Sequence, residues 1–183
     1  MLDPGAAPIA IDEPALYRLA ESGYRWTSGQ AGAVSFRWLL PPGWVGAARL
    51  PPPGRGGVER LSGVGDREGR FTAVLGVLRG CALSPHQLLS HNAGPGATVT
   101  MFASRTNGFS VAERIERRDG RLTVTTVHAF VAGGQDHRFL ISAVGPGTAA
   151  DGEPDPRTVL RTLGSALALT DETQPLRAIT LHG

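Results

Sequence analysis

Apolar and polar residues alternate in four successive stretches in the second half of the chain: Thr98–Ser104, Phe109–Arg117, Leu122–Val131 and Arg138–Val144. A period of two is the signature of strands with one covered face. The joints between them contain Asn107-Gly108, Asp119-Gly120 and Gly133-Gly134. These pairs tolerate the positive φ that tight hairpins need, so the pattern predicts an antiparallel meander. Phe109, Val111 and Ile115 fall on one side of their strand, as do Phe139, Ile141 and Ala143. That apolar face must be covered. The predicted cover is the last helix, capped by Asp155 and opened by Pro156, with Val159, Leu160, Leu163 and Leu167 as its apolar stripe. Residues 170–183 read as a polar tail, with Leu176, Ile179 and Leu181 docking as a short strand.

The first half is less regular. Residues 1–11 read as a loose arm rich in Pro, Gly and Ala. Asp12 to Ser22 predicts a short helix with Asp12 as N-cap, Leu16, Leu19 and Ala20 on one face, and Gly23 as its stop. Val34–Leu40 is a strand by its alternation of Val34, Phe36 and Trp38 with Ser35 and Arg37, and Pro41-Pro42-Gly43 ends it before Trp44. Residues 46–70, with many glycines and three consecutive prolines, predict a long irregular loop holding one short strand near Val58–Leu61. Phe71–Leu78 is an apolar run suited to a buried strand. A short helix follows, with Ser84 as N-cap, Pro85 at its first position, Gln87 completing a capping box, and Leu83 and Leu88 at the two positions of a hydrophobic staple. It should end near Asn92–Gly94, and no internal repeat is present.

Composition narrows this to a globular α+β protein: 183 residues, 41% hydrophobic and 19% charged, values unlike those of disordered chains. All 18 basic residues are Arg. Coding bias accounts for that, and Arg-mediated recognition of carboxylates or phosphates is the functional alternative. The formal net charge is only +2. The densest basic run, Arg114, Arg117, Arg118 and Arg121, is interleaved with Glu113, Glu116 and Asp119, the pattern of a solvated face. Nucleic acid is therefore not an expected partner. The single cysteine, Cys81, allows no internal disulfide. The N-terminus lacks the features of a secretory signal and no apolar run reaches membrane-spanning length, so the expectation is a cytoplasmic location.

Catalytic constellations are not legible. No G-x-S-x-G elbow, P-loop, G-x-G-x-x-G, C-x-x-C or H-E-x-x-H occurs, and neither cofactor nor metal is expected. The histidines are His86, His91, His128, His137 and His182, read as surface or satisfied residues. Cys81 as nucleophile with His86 as base is the sharpest enzymatic option, but no orienting acid accompanies the pair. Trp26, Trp38 and Trp44 fall near Tyr17, Tyr24 and Phe36. They read either as core or as an apolar groove. Arg49, Arg55 and Arg60 on the 46–70 loop would rim such a groove and are the candidate partner-binding residues. Trp44 itself is expected to be largely buried, closing one end of the core.

The stretch Val34–Val45, VSFRWLLPPGWV, together with the order of elements that follows it, resembles the PsbP/Mog1-like superfamily, closest to its LpqN-type and DUF1795/DcrB-like bacterial members. The pattern covers roughly residues 33–169, with 1–32 as an arm and short helix and 170–183 as a tail. The resemblance implies an α/β/α sandwich whose central antiparallel sheet holds the meander and the N-terminal strands. It further implies a non-enzymatic accessory or chaperone-like protein that binds another protein, possible settings being bacterial secretion or assembly systems. A small apolar or anionic ligand near the aromatic residues is the alternative. Unlike LpqN-type lipoproteins, the chain carries no lipidation cysteine near its start.

Overall fold

The computed structural model describes residues 18, 20–46, 57–91, 93–103 and 110–173. Its strands are β1 (Arg25–Ala31), β2 (Val34–Leu40), β3 (Val45–Gly46), β4 (Glu59–Gly65), β5 (Thr72–Arg79), β6 (Thr98–Ala103), β7 (Ser110–Arg118), β8 (Arg121–Ala132), β9 (Gln135–Pro146) and β10 (Leu167–Asp171). The helices are α1 (Pro85–His91) and α2 (Pro156–Ser165). They form a three-stranded sheet in the order β1-β2-β10 and a seven-stranded sheet in the order β3-β4-β5-β9-β8-β7-β6, with every pairing antiparallel.

The four strands of the meander form where the alternation predicts them. Asp119 and Gly120 have φ of 50° and 72°, and Gly133 and Gly134 have 56° and 75°, so each pair makes the two-residue turn that matches strand twist. Asn107-Gly108 lies outside the described residues. The α1 capping box closes as read: Ser84 N–H donates to Gln87 Oε1 at 2.9 Å, and Gln87 N–H to Ser84 Oγ at 3.1 Å. Leu83, the outer residue of the anticipated staple, is 44% exposed. Asp155 caps α2 by accepting from Thr158 N–H at 3.2 Å. Of the predicted 12–22 helix only its end is described: Ser22 N–H bonds Arg18 O at 3.1 Å, and Gly23 breaks the turn with φ 95°.

Four expectations are corrected. Val34–Leu40 does not join the meander's sheet; it is the middle strand of the separate small sheet. Arg25–Ala31, assigned to the arm, is a strand paired along its whole length with β2. The short strand expected near Val58–Leu61 within the 46–70 segment is present as β4 but runs further, over Glu59–Gly65. Finally, α2 stops at Ser165. Leu167, placed in its stripe, opens β10 and pairs with Trp38; residues 170 and 171, placed in the tail, complete that strand.

The main core fills the space between the small sheet with α2 and one face of the large sheet. It combines Val34, Phe36 and Trp38 with Leu75, Phe139, Ile141, Leu160 and Leu163. A smaller cluster of Leu89, Ala112 and Val127 seats α1 on β7 and β8; these positions alternate with those of the main core, so α1 lies on the opposite face. Arg138, buried on that face, ties down the chain before α1 by donating from Nε to Leu83 O at 2.7 Å. α2 lies very close to the sheet: a Cβ at Gly164 would stand 2.0 Å from Thr126 Oγ1. Only glycine permits that approach.

Candidate functional site

Of the three arginines singled out in the sequence, Arg49 and Arg55 lie outside the described residues. Arg60 sits in β4, half-buried, opposite Gly76 of β5. Its Nη1 is closed off from solvent without a hydrogen-bond acceptor. The adjacent Glu59 points to the other face and is held by Arg79 at 2.9 Å, so it does not neutralise Arg60. The chain before β4 is basic, with Arg25, Arg37, Arg49 and Arg55 and no Asp or Glu between Glu21 and Glu59, but Arg60 itself follows Glu59 and precedes Asp66 and Glu68.

Arg60 has β5 on one side of its strand. β3 is only two residues long and pairs with Val64 and Gly65 alone. Among the described residues no strand lies beside Glu59–Gly63 on the side away from β5. Antiparallel strands turn alternate N–H and C=O groups outward, and among the described residues those of this stretch meet no strand. A bulge between Arg60 and Ser62 leaves Leu61 unmatched in the β4–β5 ladder and packs it against the main core. Val45, next to this edge, is 47% exposed.

The three tryptophans occupy different settings. Trp38 is fully buried, and its indole Nε1 donates to Leu163 O at 3.0 Å. Trp44, anticipated as largely buried, is only half-buried; it packs on the edge of the core, its ring 5.9 Å from that of Phe71. The sharp turn before it is present, with Gly43 at φ 80° and Trp44 N–H donating to Pro41 O. Trp26 carries the Arg37 guanidinium over its ring at 4.5 Å.

Sequence reasoning missed a buried polar cluster under α2. Glu113 is 3% exposed, and Arg161 Nε lies 2.9 Å from its Oε1 and 3.0 Å from its Oε2. Two strands of the cluster face each other in register, Glu113 opposite Thr126 and Val111 opposite His128. His128 Nε2 donates to Gly164 O at 2.7 Å. The signal was present: Glu113 stands midway between Val111 and Ile115 on the inward side of its strand, and Arg161 between Leu160 and Leu163. An acid at an inward position demands a buried partner. His137 is likewise buried, with Nδ1 against Gln135 O at 2.9 Å. His86 is exposed and faces Ser90 Oγ at 3.4 Å; Cys81 is half-buried and free. Among the described residues no group of three or more His, Cys, Asp or Glu side chains gathers as a metal site. No described helix is long and apolar enough to cross a membrane.

Burial pushes the His128 imidazole below its ordinary value of 6.5, the hydrogen bond to Gly164 opposing that only in part. The folded state thus binds this proton less readily than the unfolded state. His128 stabilises the fold fully above pH of about 6.5, and that contribution is lost progressively as the pH falls below it. Melting temperature followed from neutral to mildly acidic pH should fall for the wild type and fall less for His128→Gln, which keeps an N–H donor without a titrating ring. Parallel curves would show that His128 is not the group responsible.

No family model matches the chain, and no curated protein matches it. The fold is similar to that of LpqN and Mog1. The LpqN structure, of a protein involved in cell envelope biogenesis of Mycobacterium tuberculosis, is 16% identical over 84% of this chain and 95% of that one, with a TM-score of 0.48. The Mog1 structure, a mutant form, is 12% identical over 82% of this chain and 97% of that one, again with a TM-score of 0.48. The VSFRWLLPPGWV resemblance named the PsbP/Mog1-like superfamily and, within it, LpqN-type and DUF1795/DcrB-like proteins.

Proposed function

We propose that this chain is a non-enzymatic accessory protein that binds another protein along the β3–β4 side of its large sheet. The observation that carries the reading is that, among the described residues, no strand pairs with Glu59–Gly63 on the side away from β5 and Arg60 Nη1 meets no acceptor. The ionisable groups elsewhere support a structural role for themselves: Glu113 is held by Arg161, and His128 and His137 face backbone carbonyls. A chaperone-like task in a bacterial secretion or assembly system is the finer form of the proposal, motivated by the sequence resemblance. Capture from the native host with a cross-linker, followed by mass-spectrometric mapping, tests it. A specific partner should be recovered, with cross-links concentrated on residues flanking β4. Turnover of a substrate in an activity screen, with no partner recovered, would overturn the reading.

A further inference from the structure

The end of α2 is fastened to both sheets. A helix leaves its last carbonyls without internal partners, and here distant elements supply the donors. Leu163 O accepts from Trp38 Nε1 of the small sheet at 3.0 Å, and Gly164 O from His128 Nε2 of the large sheet at 2.7 Å. Ala166 O accepts from Leu39 N–H at 2.9 Å. One turn earlier, Arg161 meets Glu113 of β7. We infer that this last turn is an acid-released clasp: protonation of His128 frees the end of α2 from the large sheet, and with it the Trp38 contact of the small sheet, while the β5–β9–β8 centre stays folded.

The charges around His128 support this. Opposite it stand Val111 on β7 and Phe139 on β9, neither of which meets a charge. Diagonally placed are Glu113, whose oxygens are engaged by Arg161, and His137, which faces Gln135 O. α2 contributes the Arg161 cation. β10 packs on β8 and carries Asp171, whose carboxylate is held by Gly133 N–H and Thr173 N–H. On β2, Arg37 turns to the other face, over Trp26. An imidazolium would therefore enter a site 5% exposed with no uncommitted carboxylate from any of these elements. The helix dipole and the Gly164 carbonyl favour the charge, but burial outweighs them and holds the imidazole below its ordinary 6.5. Once the turn opens, the ring meets water and titrates near that ordinary value, so protons draw the equilibrium towards opening.

The tethers of α2 make the opening local. Before it, residues 148–155 are all exposed and are pinned at the surface by the Arg70–Glu153 ion pair. After it, β10 starts at Leu167, so movement of the helix end passes to the small sheet. A helix of 10 residues depends on its packing to persist in water, whereas β5 and β9 are paired on both sides. Sub-global opening of such an element precedes unfolding of the centre.

Hydrogen exchange followed by NMR on the full-length protein tests this, each rate being divided by the intrinsic rate at the same pH. The Trp38 indole N–H is assigned by its loss in Trp38→Phe. As the pH falls below 6.5, exchange of that indole and of the Leu163–Ala166 amides should quicken, approaching about tenfold per pH unit. The amides of Leu75, Phe139 and Ile141 should keep their protection. His128→Gln should abolish the pH dependence, and the contrast between α2 and β9 in the wild type decides the matter even if that variant does not fold. Loss of protection at α2 and β9 in step would mean that the whole domain, not a clasp, responds to acid. Exchange at Trp38 that ignores pH, or a pH dependence retained in folded His128→Gln, equally overturns the inference.

Discussion

Replacing Glu113 by alanine should destabilise the protein by about 3–5 kcal/mol, the usual consequence of removing one member of a buried ion pair. The carboxylate is 3% exposed and its charge is met by Arg161 Nε at 2.9 and 3.0 Å. Without it, the Arg161 guanidinium on α2 loses the carboxylate that both contacts reach. Domains of this kind hold together by roughly 5–15 kcal/mol, so the urea midpoint should drop steeply. Replacing both partners, Glu113→Leu with Arg161→Met, should recover most of the loss, because two apolar groups need no mutual solvation. An alanine variant with the wild-type midpoint would mean that Arg161 reaches water, and that the pair does not fasten α2 to the sheet.

Trp38→Ala should cost a similar amount, about 3–5 kcal/mol, by leaving a cavity at the centre of the main core. Trp38 has no exposed surface and joins the two layers: it lies on β2, pairs with Thr27 and Leu167, and reaches across to the Leu163 carbonyl near the end of α2. Trp38→Phe separates the two contributions. It keeps most of the apolar volume but removes the donor, and should cost about 1–3 kcal/mol for a carbonyl left buried without a partner. Thermal melts of the two variants check the order. Equal losses would assign the effect to the hydrogen bond; a phenylalanine variant as stable as wild type would assign it all to packing.

The local half of this architecture was legible because its signals are short-range. The period of two along Phe109–Val144 is imposed by the pleat itself, and Asp119-Gly120 and Gly133-Gly134 both take the positive φ that a two-residue hairpin needs. Ser84 with Gln87, and Asp155 before Pro156, satisfy helix N–H groups within three residues of themselves. Each of these outcomes follows from neighbours in the chain.

The candidate site was half legible. Arg60 stood out as a basic residue in a Pro/Gly-rich segment and fell within the short strand expected near Val58–Leu61, but the length of that strand was hidden, because the glycines at 63 and 65 that read as loop punctuation are residues of β4. The alternation of Val111, Glu113 and Ile115 placed Glu113 on the inward side of its strand, but it could not name the partner, since Arg161 comes from an element 48 residues away.

By itself, then, the sequence determined the strands of the meander, its turns at Asp119-Gly120 and Gly133-Gly134, and the caps of the Pro85–His91 and Pro156–Ser165 helices. Tertiary structure alone decided that Val34–Leu40 leaves the large sheet for a small one, and that the chain abandons the helix at Ser165 although Leu167 continues its apolar spacing. Leu167 becomes a strand residue because β2 offers it a ladder partner at Trp38, and Leu39 N–H already bonds Ala166 O at 2.9 Å. One more helical turn would forfeit those non-local bonds for local ones. Periodicity measures only which face of an element is apolar; the element that comes to cover it is settled by packing between segments distant in sequence.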